Sequence, residues 1–253
     1  MSWILLALIA PILWGITFIF DKYLLEKHIP NIYFYMLISG FMGLLVLLGI
    51  PFYGFIIPKF NIMVLAIIGR FLYNYLTLPY FKAITLSELS SVVPIFQLTP
   101  VFTFILTILF IHVQYTIISL VALILLVLGG LLISIEHIDG VFKITKAFWY
   151  MLLSYAMYSI YMVLSKFIYL NVSYYTGLTW ISIGGFLSVL PLLFSTSIRK
   201  ETKSFITGTK LLVKSLVLLN EIINLLAILS IQLALVTGIT PFINALVLFN
   251  HYS

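Results

Sequence analysis

Apolar runs of membrane-spanning length recur along this chain, and they restrict its fold more than any other feature. Residues 3–20 and 116–135 carry no charged side chain, and 62–81 and 148–168 carry almost none. About twenty apolar residues in a helix cross the hydrocarbon core of a bilayer. Only 8% of the 253 residues are charged and 63% are hydrophobic, whereas a soluble domain is roughly 25% charged. A chain of this composition lacks the polar surface to cover a soluble globule. Inside a bilayer each backbone N–H and C=O must be bonded within the protein, which leaves helices as the spanning form for runs this long. The fold class is therefore all-α, a polytopic transmembrane helical bundle. About nine helices are expected, over 3–20, 32–57, 62–81, 89–111, 116–135, 148–168, 175–194, 211–233 and 235–253. The first run has no basic stretch before it and no small-residue cleavage site, so it reads as a span and not as a signal peptide.

Composition also excludes several classes of function. The formal charge of +6 is spread over loops, with no dense basic run and interleaved aromatics, so no nucleic-acid partner is expected. Cysteine is absent, which removes disulfides, thiolate metal sites and a thiol nucleophile. His28, His112, His137 and His251 show no metal-ligand spacing. No metal or cofactor is expected. The seven acidic residues, Asp21, Glu26, Glu88, Glu136, Asp139, Glu201 and Glu221, are dispersed.

The polar residues inside the apolar runs are the candidates for function, because polar groups at membrane depth are costly. Arg70, Tyr73, Asn74 and Thr77 fall at i, i+3, i+4 and i+7 and share one helical face. The next run holds Gln97 and Thr99 between Pro94 and Pro100. A proline inside a helix removes one backbone bond, so carbonyls near Gln97 and Thr99 are expected to be free for a ligand. Glu221 lies between Asn220 and Asn224, with Gln232 further along. Trp14, Thr17 and Asp21 share a face of the first run, and Tyr155, Tyr158, Tyr161 and Tyr169 enrich the sixth. Such aromatics are read as belt or core residues. Lys22 and Lys166 are read as compensating the dipoles of the helices they close, and Gly129-Gly130 as a close helix contact.

A faint internal repeat accompanies these features. At an offset of 144 residues Trp14–Lys22 lies over Tyr158–Lys166, and Gly40 over Gly184. At 151, Ala83 meets Ala234 and Arg70 meets Glu221. Opposite charges at equivalent positions are expected either to pair or to hold a charged substrate. Five spans per repeat is odd, so halves 1–140 and 141–253 have opposite orientation in the bilayer. Inverted repeats mark secondary transporters, with the binding site at the repeat interface.

The segments WGITFIFDK, SSVVPIFQLTPVF and NEIINLLAILSIQLALVTG resemble the EamA-type branch of the drug/metabolite transporter superfamily. The resemblance implies ten helices in two inverted five-helix repeats and a cavity lined by helices three, four, eight and nine. It implies alternating-access transport of a small polar or amphipathic metabolite across the cytoplasmic membrane, with membrane lipids as surroundings and a proton or ion as coupling partner. It implies no enzymatic activity. Two departures stand out. The turn Ile111-His112-Val113-Gln114 lacks the glutamate usual in the family. The chain also stops at Asn250-His251-Tyr252-Ser253, where relatives continue with Gln-Pro-Leu-Phe and a tenth helix. One deleted base converts codons for the latter into codons for the former, so a C-terminally truncated transporter is expected, and a non-functional product is one alternative. The cross-class alternative is an intramembrane lipid-modifying enzyme, which needs clustered acid/base groups. Family resemblance implies a cytoplasmic N-terminus, whereas the basic segment Arg199–Lys214 favours the opposite orientation.

Overall fold

The computed structural model describes residues 3–29, 31–86, 95, 98–112, 115–135, 146–238 and 240–243. Pro94, Gln97 and His251 lie outside the described residues, as do the side chain of Lys22 and the tip of the sequence-predicted hairpin. The described residues form helices and their connections, with no strand among them. Among the described residues six helical stretches are long and apolar enough to cross a membrane.

Helix α1 is Trp3–Lys27, α2 is Ile32–Met42, and a 3₁₀ stretch Gly43–Gly49 leads into the short α3, Ile50–Tyr53. Helices α4 (Phe60–Tyr75) and α5 (Thr77–Leu86) form one bent span. They are followed by α6 (Thr99–Ile111), α7 (Ile117–Ile135), α8 (Lys146–Asn171) and α9 (Tyr174–Val189). A 3₁₀ stretch Leu190–Phe194, α10 (Thr196–Gly208) and α11 (Leu211–Thr237) complete the described chain.

Local chemistry explains the boundaries. Asn31 and Ser173 cap α2 and α9, their side chains accepting the Tyr33 N–H at 2.9 Å and the Thr176 N–H at 3.3 Å. The bend at Leu76 follows from Pro79, which has no N–H for the Tyr75 carbonyl. Side chains gather there: Thr77 Oγ1 donates to the Asn74 carbonyl at 2.6 Å, and Ser154 Oγ to the Leu76 carbonyl at 3.0 Å. Pro100 sits in the first turn of α6, where a missing N–H leaves no helical bond unmade.

Several expected limits move. Helix α1 runs on from residue 20 to Lys27, so Asp21 lies within it and not at its end. The basic segment after the seventh span is the amphipathic helix α10: Ser195 caps it, and Ile198 and Phe205, two turns apart, are its buried face. The eighth span continues to Thr237 before Gly238.

Glycine permits the tightest packing. A Cβ on Gly184 of α9 would lie 2.7 Å from Ile67 Cα of α4, and one on Gly40 of α2 would lie 2.4 Å from a Val189 methyl. Helix α1 packs mainly on α11, α9 on α4, and α8 on α4, α5 and α6. The bundle has two distinct ends. At the N-terminal end Tyr53 stacks on Tyr175 at 4.9 Å, and Trp180 Nε1 donates to the Ile56 carbonyl at 3.0 Å. At the other end Phe34 meets Phe205 at 4.5 Å, beside the arginine and lysines of α10. The spans Phe60–Leu86 and Leu211–Thr237 lie 151 residues apart at both ends, each after a lysine, Lys59 or Lys210, of near-identical backbone conformation.

Candidate functional site: a cavity inside the bundle

Five spans line a cavity of about 130 Å³. Helix α1 supplies Trp14, Thr17, Phe18 and Asp21, which follow one another at i, i+3, i+4 and i+7. Helix α2 supplies Tyr35, Met36 and Ser39. The bent α4–α5 pair gives Tyr73, Asn74, Leu76, Thr77, Tyr80 and Phe81; the bend turns residues on both sides of Leu76 toward one space. Helix α8 adds Ser154, Tyr155 and Tyr158, and α11 adds Asn224. The walls combine aromatic rings with convergent polar groups, the character of a small-molecule site.

The polar groups are held by long-range hydrogen bonds. Asp21 Oδ1 accepts from the Tyr35 hydroxyl and from Asn220 Nδ2, the latter at 2.6 Å. Trp14 Nε1 donates to Asn224 Oδ1 at 3.1 Å. Asn74 Nδ2 donates to the Gly185 carbonyl at 3.0 Å and to Ser188 Oγ at 2.7 Å, which ties the cavity wall to α9.

Aromatic rings pack against one another on the side of the cavity toward the N-terminal end. Tyr73 lies 4.8 Å from Tyr161 and 6.5 Å from Tyr158, and Trp14 meets Tyr158 edge-on at 6.3 Å. Behind this layer the Arg70 guanidinium lies 4.5 Å from the Tyr73 ring centre, and Gln232 donates to the Tyr161 hydroxyl. Arg70 crosses α9 at Gly185, where a Cβ would come within 2.8 Å of its Nε. Further toward that end Lys166 Nζ donates to the carbonyls of Leu235, Gly238 and Val236 at 2.7, 3.0 and 3.3 Å. Lys166 thus caps α11 and not its own helix α8.

Of the sequence-derived candidates, Tyr73, Asn74, Thr77 and Asn224 line the cavity. Arg70 is buried one turn behind Tyr73. Glu221 is buried behind the wall: it bonds Ser39 and Asn224, interacts electrostatically with Asp21 and Arg70, and leaves Oε1 without a partner. Arg70 and Glu221 make no direct ion pair. Thr99 is buried against α8, with its carbonyl accepting from Ser159 Oγ at 3.3 Å, and does not line the cavity. Gln97 and Pro94 fall outside the described residues. Asp21 and Glu221, dispersed in the sequence, come together here. Asp21, Tyr35 and Ser39 are site residues that sequence reasoning missed. The available signal is the face of α1 shared by Trp14, Thr17 and Asp21, whose aromatic residue reads from sequence as belt or core. Among the described residues no group of three or more His, Cys, Asp or Glu could hold a metal ion.

Comparison with known proteins adds a family and a fold. The model of the EamA-like transporter family matches residues 1–135. A solved crystal structure superposes with a TM-score of 0.70 at 15% identity, covering 98% of this chain and 84% of that one; at this identity the likeness shows the fold alone. No curated protein matches the chain.

Proposed function

The chain belongs to the EamA-like transporter family, a membrane-transporter family of the drug/metabolite superfamily, and from that premise we propose that it carries a small metabolite through the cavity between its two halves by alternating access. The observation that carries this proposal is a cavity inside membrane-spanning helices whose walls come from residues 14–81 and 154–224 together. A purely structural bundle core would be filled to crystal-like density. The matching limits of Phe60–Leu86 and Leu211–Thr237 support an inverted repeat with halves 1–140 and 141–253. In that frame the aromatic layer over Arg70 is the closed gate of one side. Rocking of the halves would part Tyr73 from Tyr158 and Tyr161 and close the other side around the substrate. Tyr73, Asn74, Thr77 and Asn224 contact the substrate, while Arg70 and Glu221 hold the gate and the wall from behind.

We also propose that the end carrying α10 faces the cytoplasm of the cell membrane. Arg199, Lys200, Lys203, Lys210 and Lys214 gather there against Lys59 in the loop at the opposite end, and short loops rich in lysine and arginine stay inside. Counterflow of a metabolite panel in proteoliposomes tests the transport proposal. Thr77→Phe places a ring in the cavity and should lower transport more than tenfold while the purified protein keeps its wild-type melting profile. A folded Thr77→Phe protein with wild-type transport would sink the cavity as the route.

A further inference from the structure

The charge of the cavity selects among small metabolites. Asp21 is the sole ionisable acid or base other than tyrosine among the described lining residues, and no lysine, arginine or histidine is among them. Both of the hydrogen bonds that fix its carboxylate go to Oδ1. Oδ2 is not an enclosed atom without a partner, and the residue faces the cavity, so Oδ2 is the oxygen offered to a ligand. Tyr35 and Asn220, one from α2 and the other from α11, hold the group in position.

A second acid stands behind the first. Glu221 is 1% exposed, interacts directly with the charge of Asp21, and keeps Oε1 without a hydrogen-bond partner. Arg70 is withdrawn behind the ring of Tyr73 and is not in the wall. A carboxylate or phosphate ligand would face these acids with no cation among the described lining residues, and its desolvation would go uncompensated. An ammonium would meet an opposite charge and aromatic faces that attract cations. The rest of the lining is uncharged: aromatic and apolar side chains, Trp14, Phe18, Tyr80 and Tyr155 among them, alternate with the hydroxyls and amides of Thr17, Ser39, Asn74, Thr77, Ser154 and Asn224. A hydrocarbon or aromatic body gains from the aromatic part of that surface, which a hydrated inorganic ion does not.

We infer, resting on the transport proposal above, that the cavity takes a small organic amine, its ammonium on Asp21 Oδ2 and its apolar body against the aromatic wall. The same geometry gives Asp21 a specificity role: it rejects the isosteric acid and discriminates against the neutral analogue, because either leaves its carboxylate without a partner.

The test uses three probes of one shape on the full chain in detergent: 2-phenylethylamine, 2-phenylethanol and 3-phenylpropanoate. Calorimetry gives their affinities, and quenching of Trp14 fluorescence places the bound probe in the cavity. The amine should bind at least tenfold more tightly than the alcohol, and the acid should not bind. Asp21→Asn should remove the amine's advantage over the alcohol and leave the alcohol's affinity within about threefold. Trp149→Phe, at an exposed position of α8 outside the cavity, should keep that advantage. The wild-type ranking alone decides the sign if Asp21→Asn fails to fold. Equal binding of amine and alcohol, preference for the acid, an amine preference that survives Asp21→Asn, or no binding of any probe would overturn the inference. Proteoliposome counterflow with the metabolite panel separates the two levels. Movement of other compounds without dependence on Asp21 leaves the transport proposal standing and removes the amine. Absence of all movement removes transport itself.

Discussion

Gly184→Ala tests the packing on which the cavity depends. An added Cβ would lie 2.7 Å from Ile67 Cα, 3.0 Å from the Ala66 carbonyl oxygen and 3.2 Å from Ile67 N. All three are backbone atoms of α4, so no side chain can rotate away and the helices must separate. Overpacking of this kind destabilises by about 1–3 kcal/mol, which is roughly a 5- to 150-fold loss in the folding equilibrium at 1.4 kcal/mol per tenfold. The same substitution at Gly15 is the control, because nothing lies within 4 Å of a Cβ there. Gly15 is inside α1, and alanine should stabilise the helix by up to about 1 kcal/mol. Unfolding in mixed micelles of rising dodecyl sulfate content, followed by tryptophan fluorescence, reads both. Gly184→Ala should unfold at a clearly lower dodecyl sulfate fraction and Gly15→Ala at an equal or higher one. The consequence reaches the site, since Asn74 is held by the Gly185 carbonyl and Ser188 of the same helix. Separation of α4 from α9 should therefore reduce transport as well. Wild-type stability of Gly184→Ala, or an equal loss at Gly15, would refute the close-contact account.

Other expectations are more local. Lys166→Met keeps the apolar stem but removes the cap on the α11 carbonyls; hydrogen bonds from a charged donor are worth about 1.5–3 kcal/mol, so the unfolding midpoint should fall and amide exchange after residue 235 should quicken. Because the chain has no cysteine, single cysteines report topology directly: Phe55→Cys should react with an impermeant maleimide on intact cells, and Thr209→Cys only after permeabilisation, with the reverse pattern disproving a cytoplasmic α10. Lysines near an anionic bilayer surface contribute about 1 kcal/mol each. Reversing Lys200 and Lys203 to glutamate, both exposed on α10, should thus abolish thermal stabilisation of the purified protein by phosphatidylglycerol, and retention of that stabilisation would count against an interfacial α10.

Much of the molecule was legible in its residues. The helical membrane class follows from apolar runs, because lipid demands internally bonded backbone at every position and length alone selects the helix. The 3.6-residue period placed Tyr73, Asn74 and Thr77 on one face, and all three line the cavity. Arg70 shares that face yet is turned away behind a ring, since one helical face is wider than one cavity wall. Other features depended on distant partners. Asp21 became a site residue because Asn220, 199 positions away, meets it, and Trp14 because Asn224, 210 away, accepts its N–H. Lys166 caps a helix other than its own, and the bend at Leu76 comes from Pro79 together with Ser154 on α8. Burial in lipid is a property of each segment and can be read segment by segment. Which polar atoms meet inside the bundle is set by how helices approach one another at Gly40, Gly184 and Gly185, and those contacts exist only once the chain has folded.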